Sequence, residues 1–220
     1  MSDVPENLDP IPVLTSSEQR AAETLFAEQL PAAQRYVRHL CTTGITHGLL
    51  GPREVPRMWS RHVLNSAVLA PELPSGGTVA DVGAGAGLPG LALALARPDV
   101  DFTLIEPMER RVDWLDTVIR DLDLSNVQVI RSRAEDVSDE VMADVVTARA
   151  VSALKKLIPL TAPLLAEDGH LMLLKGRSAR DEINAAVKQI KRARLSEPTI
   201  RLFGEGLLDE LTTVVCAQRR

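Results

Sequence analysis

From residue 78 onward the chain alternates two hydrophobic periods. Short and nearly continuous apolar runs, TVADV (78–82), DFTLIE (101–106), NVQVI (126–130), ADVVTARA (143–150), GHLMLLK (169–175), PTIRLF (198–203) and TTVVCAQ (212–218), have the length and β-branched content of buried strands. Between them LPGLALALA, RRVDWLDTVIRDL, VSALKKLIPLTAPLL and ARDEINAAVKQIKRA space their apolar residues as helices do. Parallel neighbours need a crossover, and strands apolar on both sides need cover on both faces. The alternation therefore predicts an α/β fold with a doubly wound, mainly parallel, seven-stranded sheet. The last two runs have no helix between them and predict a terminal hairpin that adds an antiparallel edge.

The front of the chain carries only the helical period. An irregular lead-in over residues 1–15 holds Pro5, Pro10 and Pro12. A helical extension over residues 16–72 follows. There Ser16 and Ser17 are candidate caps for EQRAAETLFAEQL, with Ala22, Leu25, Phe26 and Leu30 on one face. Further helices are expected from Arg35 to Leu40 and around Met58 to Leu69, before the turn-rich PELPSGG opens the sheet domain, residues 73–220.

Composition narrows the function. Of 220 residues, 45% are hydrophobic and 25% charged, enough apolar material for a core. A net charge of −5 argues against a protein that coats nucleic acid, so any RNA contact must be local. Cys41 and Cys216 lie far apart without ligand spacing, which predicts free thiols and no metal. MSDVPENLDP has neither the basic start nor the apolar stretch of a signal peptide, and no apolar run is long enough to span a bilayer, so a cytoplasmic protein with no membrane partner is expected.

The densest chemical signal follows the first strand: Asp81-Val-Gly83-Ala-Gly85-Ala-Gly87-Leu88-Pro-Gly90, opening a helix near Leu88. Such a loop lies where open α/β sheets bind nucleoside cofactors, beyond the carboxyl ends of the strands. The spacing from Gly85 to Gly90 satisfies GxGxxG, but a dinucleotide site wants its first glycine directly after the strand, and this match is shifted by two residues. The pattern in register is Asp-x-Gly-x-Gly-x-Gly, whose carboxylate can bind within the loop or meet a cationic amino group of the kind sulfonium cofactors carry. Glu106 ends the second strand, where a carboxylate can accept ribose hydroxyls of either cofactor class. Ala134 and Glu135 follow the third strand, and Arg149 ends the fourth, where donor and substrate must meet.

Together, RHVLNS, VADVGAGAGLPG, FTLIEPMERRVDWL, SRAED, TARAVSAL and LLKGR closely resemble the ribosomal small-subunit methyltransferase G family, also called glucose-inhibited division protein B, over nearly the whole chain. The resemblance implies methyl transfer from S-adenosylmethionine to N7 of guanine 527 in the 530 loop of bacterial 16S rRNA, within the 30S subunit or an assembly intermediate. It carries cofactor contacts onto Gly83, Leu88, Ala134, Glu135 and Arg149. Where the family usually reads His-Ile-Leu-Asp-Ser, this chain has His62-Val-Leu-Asn65-Ser66.

Guanine N7 has an exposed lone pair and no proton to lose, so this chemistry needs alignment and polar support rather than a general base. Arg149 could hold guanine O6, a phosphate or the cofactor carboxylate. RNA-binding candidates form two sets: Arg53, Arg57, Arg61 and His62 in the N-terminal part, and Lys175, Arg177, Arg180, Lys188, Lys191, Arg192 and Arg194 after the fifth strand. With aromatics at 3%, phosphate contacts should outweigh base stacking. The alternatives are a small-molecule methyltransferase of this fold, an NAD-dependent oxidoreductase, and an RNA-binding assembly factor without turnover.

Overall fold

The computed structural model of the chain describes residues 11–220, so the first part of the lead-in expected over residues 1–15 lies outside the described residues. The first helix, α1 (Ser16–Phe26), starts one residue before the expected cap would allow. Thr15 caps it: its hydroxyl accepts from the Glu18 N–H at 3.2 Å while the Glu18 carboxylate accepts from the Thr15 N–H at 2.8 Å. The stretch expected to run on to Leu30 breaks at Ala27, which takes φ 45°, and helix α2 (Leu30–His39) restarts with Pro31 in its first turn, where a missing N–H costs nothing. Helix α2 widens into a π turn over Leu40–Gly44. A second wide segment, Met58–Leu64, continues into the short α3 (Asn65–Ala67).

The seven expected strands form one sheet: β1 (Thr78–Val82), β2 (Asp101–Ile105), β3 (Val127–Ile130), β4 (Ala143–Arg149), β5 (Leu165–Leu174), β6 (Thr199–Phe203) and β7 (Thr212–Gln218), in spatial order β3-β2-β1-β4-β5-β7-β6. The first five are parallel; β7 inserts antiparallel between β5 and β6, as the missing helix foretold. Helices α4 (Gly90–Ala96) and α5 (Glu109–Asp121) cover one face, where Leu91, Leu95, Trp114 and Leu115 share a core with Tyr36, Leu40, Met58 and Trp59 of the N-terminal helices. Helices α6 (Leu154–Thr161), α7 (Ala179–Ala185) and α8 (Val187–Arg192) cover the other with Leu157, Ile158, Ile183 and Ile190; the last two were expected as one helix and part at Ala186.

Order reverses between β1 and β4, so their carboxyl ends diverge into a crevice. The N-terminal helices reach that crevice: Tyr36, fully buried, donates its hydroxyl to the Ala86 carbonyl of the glycine loop at 2.7 Å, and Trp114 Nε1 of α5 donates to Thr43 Oγ1 at 2.9 Å. Among the described residues no helix is long and apolar enough to cross a membrane, and no cluster of three His, Cys, Asp or Glu side chains could hold a metal. Both cysteines are free thiols.

Candidate cofactor and substrate site

The loop from Gly83 to Pro89 is shaped by two close approaches. Gly83 sits at φ 70°, and a Cβ there would lie 2.8 Å from Val151 Cγ2, so the loop after β4 closes directly over it. Gly90 opens α4 with no room for a side chain: a Cβ would meet Leu104 Cδ2 at 2.3 Å and Asp81 Oδ2 at 2.7 Å. That tightness lets the Gly90 N–H donate to Asp81 Oδ2 at 2.9 Å.

Asp81 is wholly buried, and its other oxygen, Oδ1, finds no partner among the described residues. Burial pushes its carboxyl up to about 7, against the pull of the Gly90 N–H, with the neighbouring Glu106 adding to the rise. A half-satisfied buried carboxylate wants a cationic donor. Glu106 is buried too, but its oxygens already accept from the N–H groups of Gly85 and Met108, each at 3.0 Å, and Arg111 lies 3.5 Å away. It therefore fastens the glycine loop to the end of β2. Each carboxylate oxygen keeps a second lone pair that a ribose hydroxyl could use.

Beside these residues opens a cavity of about 350 Å³, lined by Gly83, Glu106, Met108, Ala134, Glu135 and Val151 among others, a volume in the range of small-ligand sites. It draws on the ends of β1, β2, β3 and β4, so four separated sequence signals meet. Ala150, on its wall, holds φ 56°, a backbone conformation that costs a residue with a Cβ of order 1–3 kcal/mol and recurs where a loop is shaped for function. Leu88 is buried in the core, so it offers the cavity its backbone rather than its side chain.

Arg149 is placed differently from the loop residues. Its Nη1 donates to the His62 carbonyl and to Ser66 Oγ, each at 3.1 Å, and its Nη2 to His62 Nδ1 at 2.5 Å. His62 is 6% exposed, and its Nε2 meets Glu54 Oε2 at 2.8 Å, so a phosphate would have to displace a partner to reach the ring. The position that departs from the family pattern, Asn65, acts through its carbonyl, which accepts from Thr212 Oγ1 at 3.0 Å.

The expected RNA-binding cations divide. Lys175 is largely buried, its ammonium donating to the Ser152 carbonyl at 2.6 Å and pairing with Glu182 at 2.9 Å, so it braces the loop after β4 instead of reaching outward. Arg177 is exposed near the crevice edge. Lys188 and Arg192 join Arg194 and Arg219 around a cleft of about 810 Å³ floored by Ile158, Pro159, Ala162 and Pro163, and Lys191 is exposed on the same helix. This cleft lies at the opposite edge, where α6 ends and β5 begins. Roughly 17 Å of strand from Gly169 to Leu174 separates it from the crevice.

A doubly wound sheet in this strand order, with Asp-x-Gly-x-Gly-x-Gly after β1 and an acidic residue ending β2, defines the Rossmann-like methyltransferase class. Solved structures agree at the level of fold: a SAM-dependent methyltransferase from Aquifex aeolicus matches with a TM-score of 0.56 at 18% identity, covering 81% of this chain and 98% of that one. TYW2 from M. jannaschii, in complex with AdoMet, matches at 0.55 and 19%, covering 73% and 76%. The chain belongs to the rRNA small subunit methyltransferase G family, whose model matches residues 29–209. The protein of that name from Pseudarthrobacter chlorophenolicus is 57% identical over 202 residues, 92% of this chain and 94% of that protein. The one from Thermobifida fusca is 48% identical over 195 residues, 89% and 82%.

Proposed function

We infer that this chain is an S-adenosylmethionine-dependent methyltransferase of small-subunit rRNA. Its target is N7 of guanine 527 in the 530 loop of 16S rRNA, presented in the 30S subunit or an assembly intermediate. Membership of the methyltransferase G family supports the enzyme class. The observation that carries the cofactor assignment is the buried, unpartnered Oδ1 of Asp81 near the end of β1, two residues before Gly83 of the cavity lining. An ammonium group satisfies that atom; a dinucleotide pyrophosphate would be repelled by it.

In this reading Asp81 receives the amino group, and Gly83, Gly85 and Gly87 bring backbone close to the cofactor. Glu106 accepts from the ribose, Ala134 and Glu135 flank the base, and Leu88 contributes its backbone. Bound there, the cofactor supplies an electrophilic methyl group on a sulfonium. The protein has no proton to remove from N7, so its contribution is to orient the guanine, exclude water and stabilise the positive charge arriving on the ring. Arg149 stands beside the cavity wall formed by Ala150 and Val151 with its Nε–H still free of any described partner, suited to guanine O6 or a phosphate. Arg177, Lys188, Lys191 and Arg192 then hold RNA phosphates along the flank, giving a net acidic protein a local grip on RNA.

The test is transfer of methyl label to total bacterial RNA from cells lacking the native modification. Label confined to 16S rRNA, and lost in Asp81→Asn, supports the reading; label on tRNA, or none despite cofactor binding, overturns it.

A further inference from the structure

We infer that Glu54 and His62 are positioning residues for methyl transfer, holding the Arg149 guanidinium in a fixed orientation at the crevice. The inference rests on the functional reading above. The geometry is a chain of directed contacts from the N-terminal region into the catalytic sheet: Glu54 Oε2 to His62 Nε2 at 2.8 Å, His62 Nδ1 to Arg149 Nη2 at 2.5 Å, and Arg149 Nη1 to the His62 carbonyl and Ser66 Oγ. Ser66 Oγ itself donates to the same carbonyl at 2.6 Å, and Arg57 pairs with the other Glu54 oxygen at 3.0 Å.

Each contact fixes the next. A guanidinium nitrogen can only donate, so His62 Nδ1 must be the bare acceptor; the ring proton then resides on Nε2 and donates to Glu54. The arrangement is the one by which a carboxylate sets the tautomer and facing of a histidine that serves a metal, with a guanidinium in the metal's place. It consumes both Nη1 protons and one Nη2 proton of Arg149, leaving Nε–H and one Nη2–H for substrate. No proton reaches the reacting atoms through this chain, so the pair acts on geometry alone.

The device has a pH signature. Protonating Nδ1 sets an N–H against an N–H and releases Arg149. The charged groups facing the ring are Glu54 from the turn Pro52–Arg57, Arg149 from β4 and Arg61 on its own segment. Burial and then Arg149 hold the imidazole below its ordinary value, while Glu54 pulls the other way. Neutralising Glu54 therefore lowers the ring's titration further.

The experiment measures kcat for methyl transfer to unmodified 30S subunits across pH, with cofactor and subunits saturating. Wild type should lose kcat on the acid side as His62 titrates. In Glu54→Gln that acid limb moves to lower pH. In His62→Asn, whose Oδ1 replaces the Nδ1 acceptor and does not titrate, the limb disappears. His62→Ala, with no acceptor, loses about tenfold to a hundredfold in kcat while the cofactor KM changes little, and His62→Asn recovers part of that loss. An acid limb that stays put in both Glu54→Gln and His62→Asn overturns the inference, as does a His62→Ala kcat equal to wild type. If wild type transfers no methyl, the functional reading and this inference fall together; an active wild type with indifferent variants sinks only the positioning role.

Discussion

Replacing Asp81 with asparagine separates the account from its rivals, because this carboxylate, two residues before Gly83, keeps a buried oxygen without a partner among the described residues. With its carboxyl raised to about 7 by burial, only about 3% is ionised at pH 5.5 and about half at pH 7, so affinity for a cationic cofactor that needs the carboxylate should strengthen about fifteenfold across that interval. The window sits below the titration of an α-amino group near 8, so the cofactor's own charge stays constant. Calorimetric titration with S-adenosylmethionine at the two pH values reads this directly. In Asp81→Asn the pH dependence should vanish and binding at pH 7 weaken by about tenfold to a hundredfold, the worth of a charge-assisted hydrogen bond. The same group leaves a mark on stability without ligand. Its folded value of about 7 exceeds the ordinary 3.8, so the folded chain holds more protons between those limits and stability falls as pH rises through them. Three units correspond to about 4 kcal/mol at most, and the substitution should flatten that slope in urea melts. Equal pH dependence of cofactor affinity in wild type and Asp81→Asn would refute the reasoning.

Other perturbations reach the neighbouring structure. Gly90→Ala drives a methyl into Leu104 and Asp81 and should cost about 2–5 kcal/mol in chemical denaturation, from overpacking and a weakened buried hydrogen bond; a loss under about 1 kcal/mol would contradict the packing described. Tyr36→Phe strips the Ala86 carbonyl of its buried donor and should destabilise by about 1–3 kcal/mol, read as a lowered midpoint. Removing the charges of Lys188, Arg192 and Arg194 together should make the slope of log affinity against log salt shallower by about 2 for RNA binding, with cofactor affinity unaltered; an unchanged slope would take RNA off that cleft.

The parts of the fold legible in sequence are those whose physics is local. Strands covered on both faces are apolar runs, and the more exposed β3 and β6 still carry β-branched residues, so all seven could be read, and the absence of a helix between PTIRLF and TTVVCAQ was enough to place the antiparallel edge. The glycine loop was legible for the same reason: the approach of Gly90 to Asp81 spans nine residues of chain. What escaped depends on partners remote in sequence. Nothing near Arg149 says that its donors are taken by His62, 87 positions earlier, nor does anything near His62 say that it is buried. Lys175 read as a free cation because Glu182, the residue that neutralises it, lies in the next helix, one acidic residue among several. The break at Ala27 had a local sign in Pro31, which an apolar period running through Leu30 concealed. Glu106 was rightly marked as a strand-end carboxylate, but its grip on Gly85 and Met108 only emerges once the loop folds back over it.

The most direct measurement of the central claim is the position and atom of methylation. Purified protein is incubated with methyl-labelled S-adenosylmethionine and 30S subunits lacking the native modification, and the 16S rRNA is then cleaved at 7-methylguanine by reduction and aniline treatment. One cleavage is expected, at guanine 527 in the 530 loop, dependent on the added enzyme. Label at another nucleotide, or at guanine 527 on an atom other than N7 and so without cleavage, would contradict it.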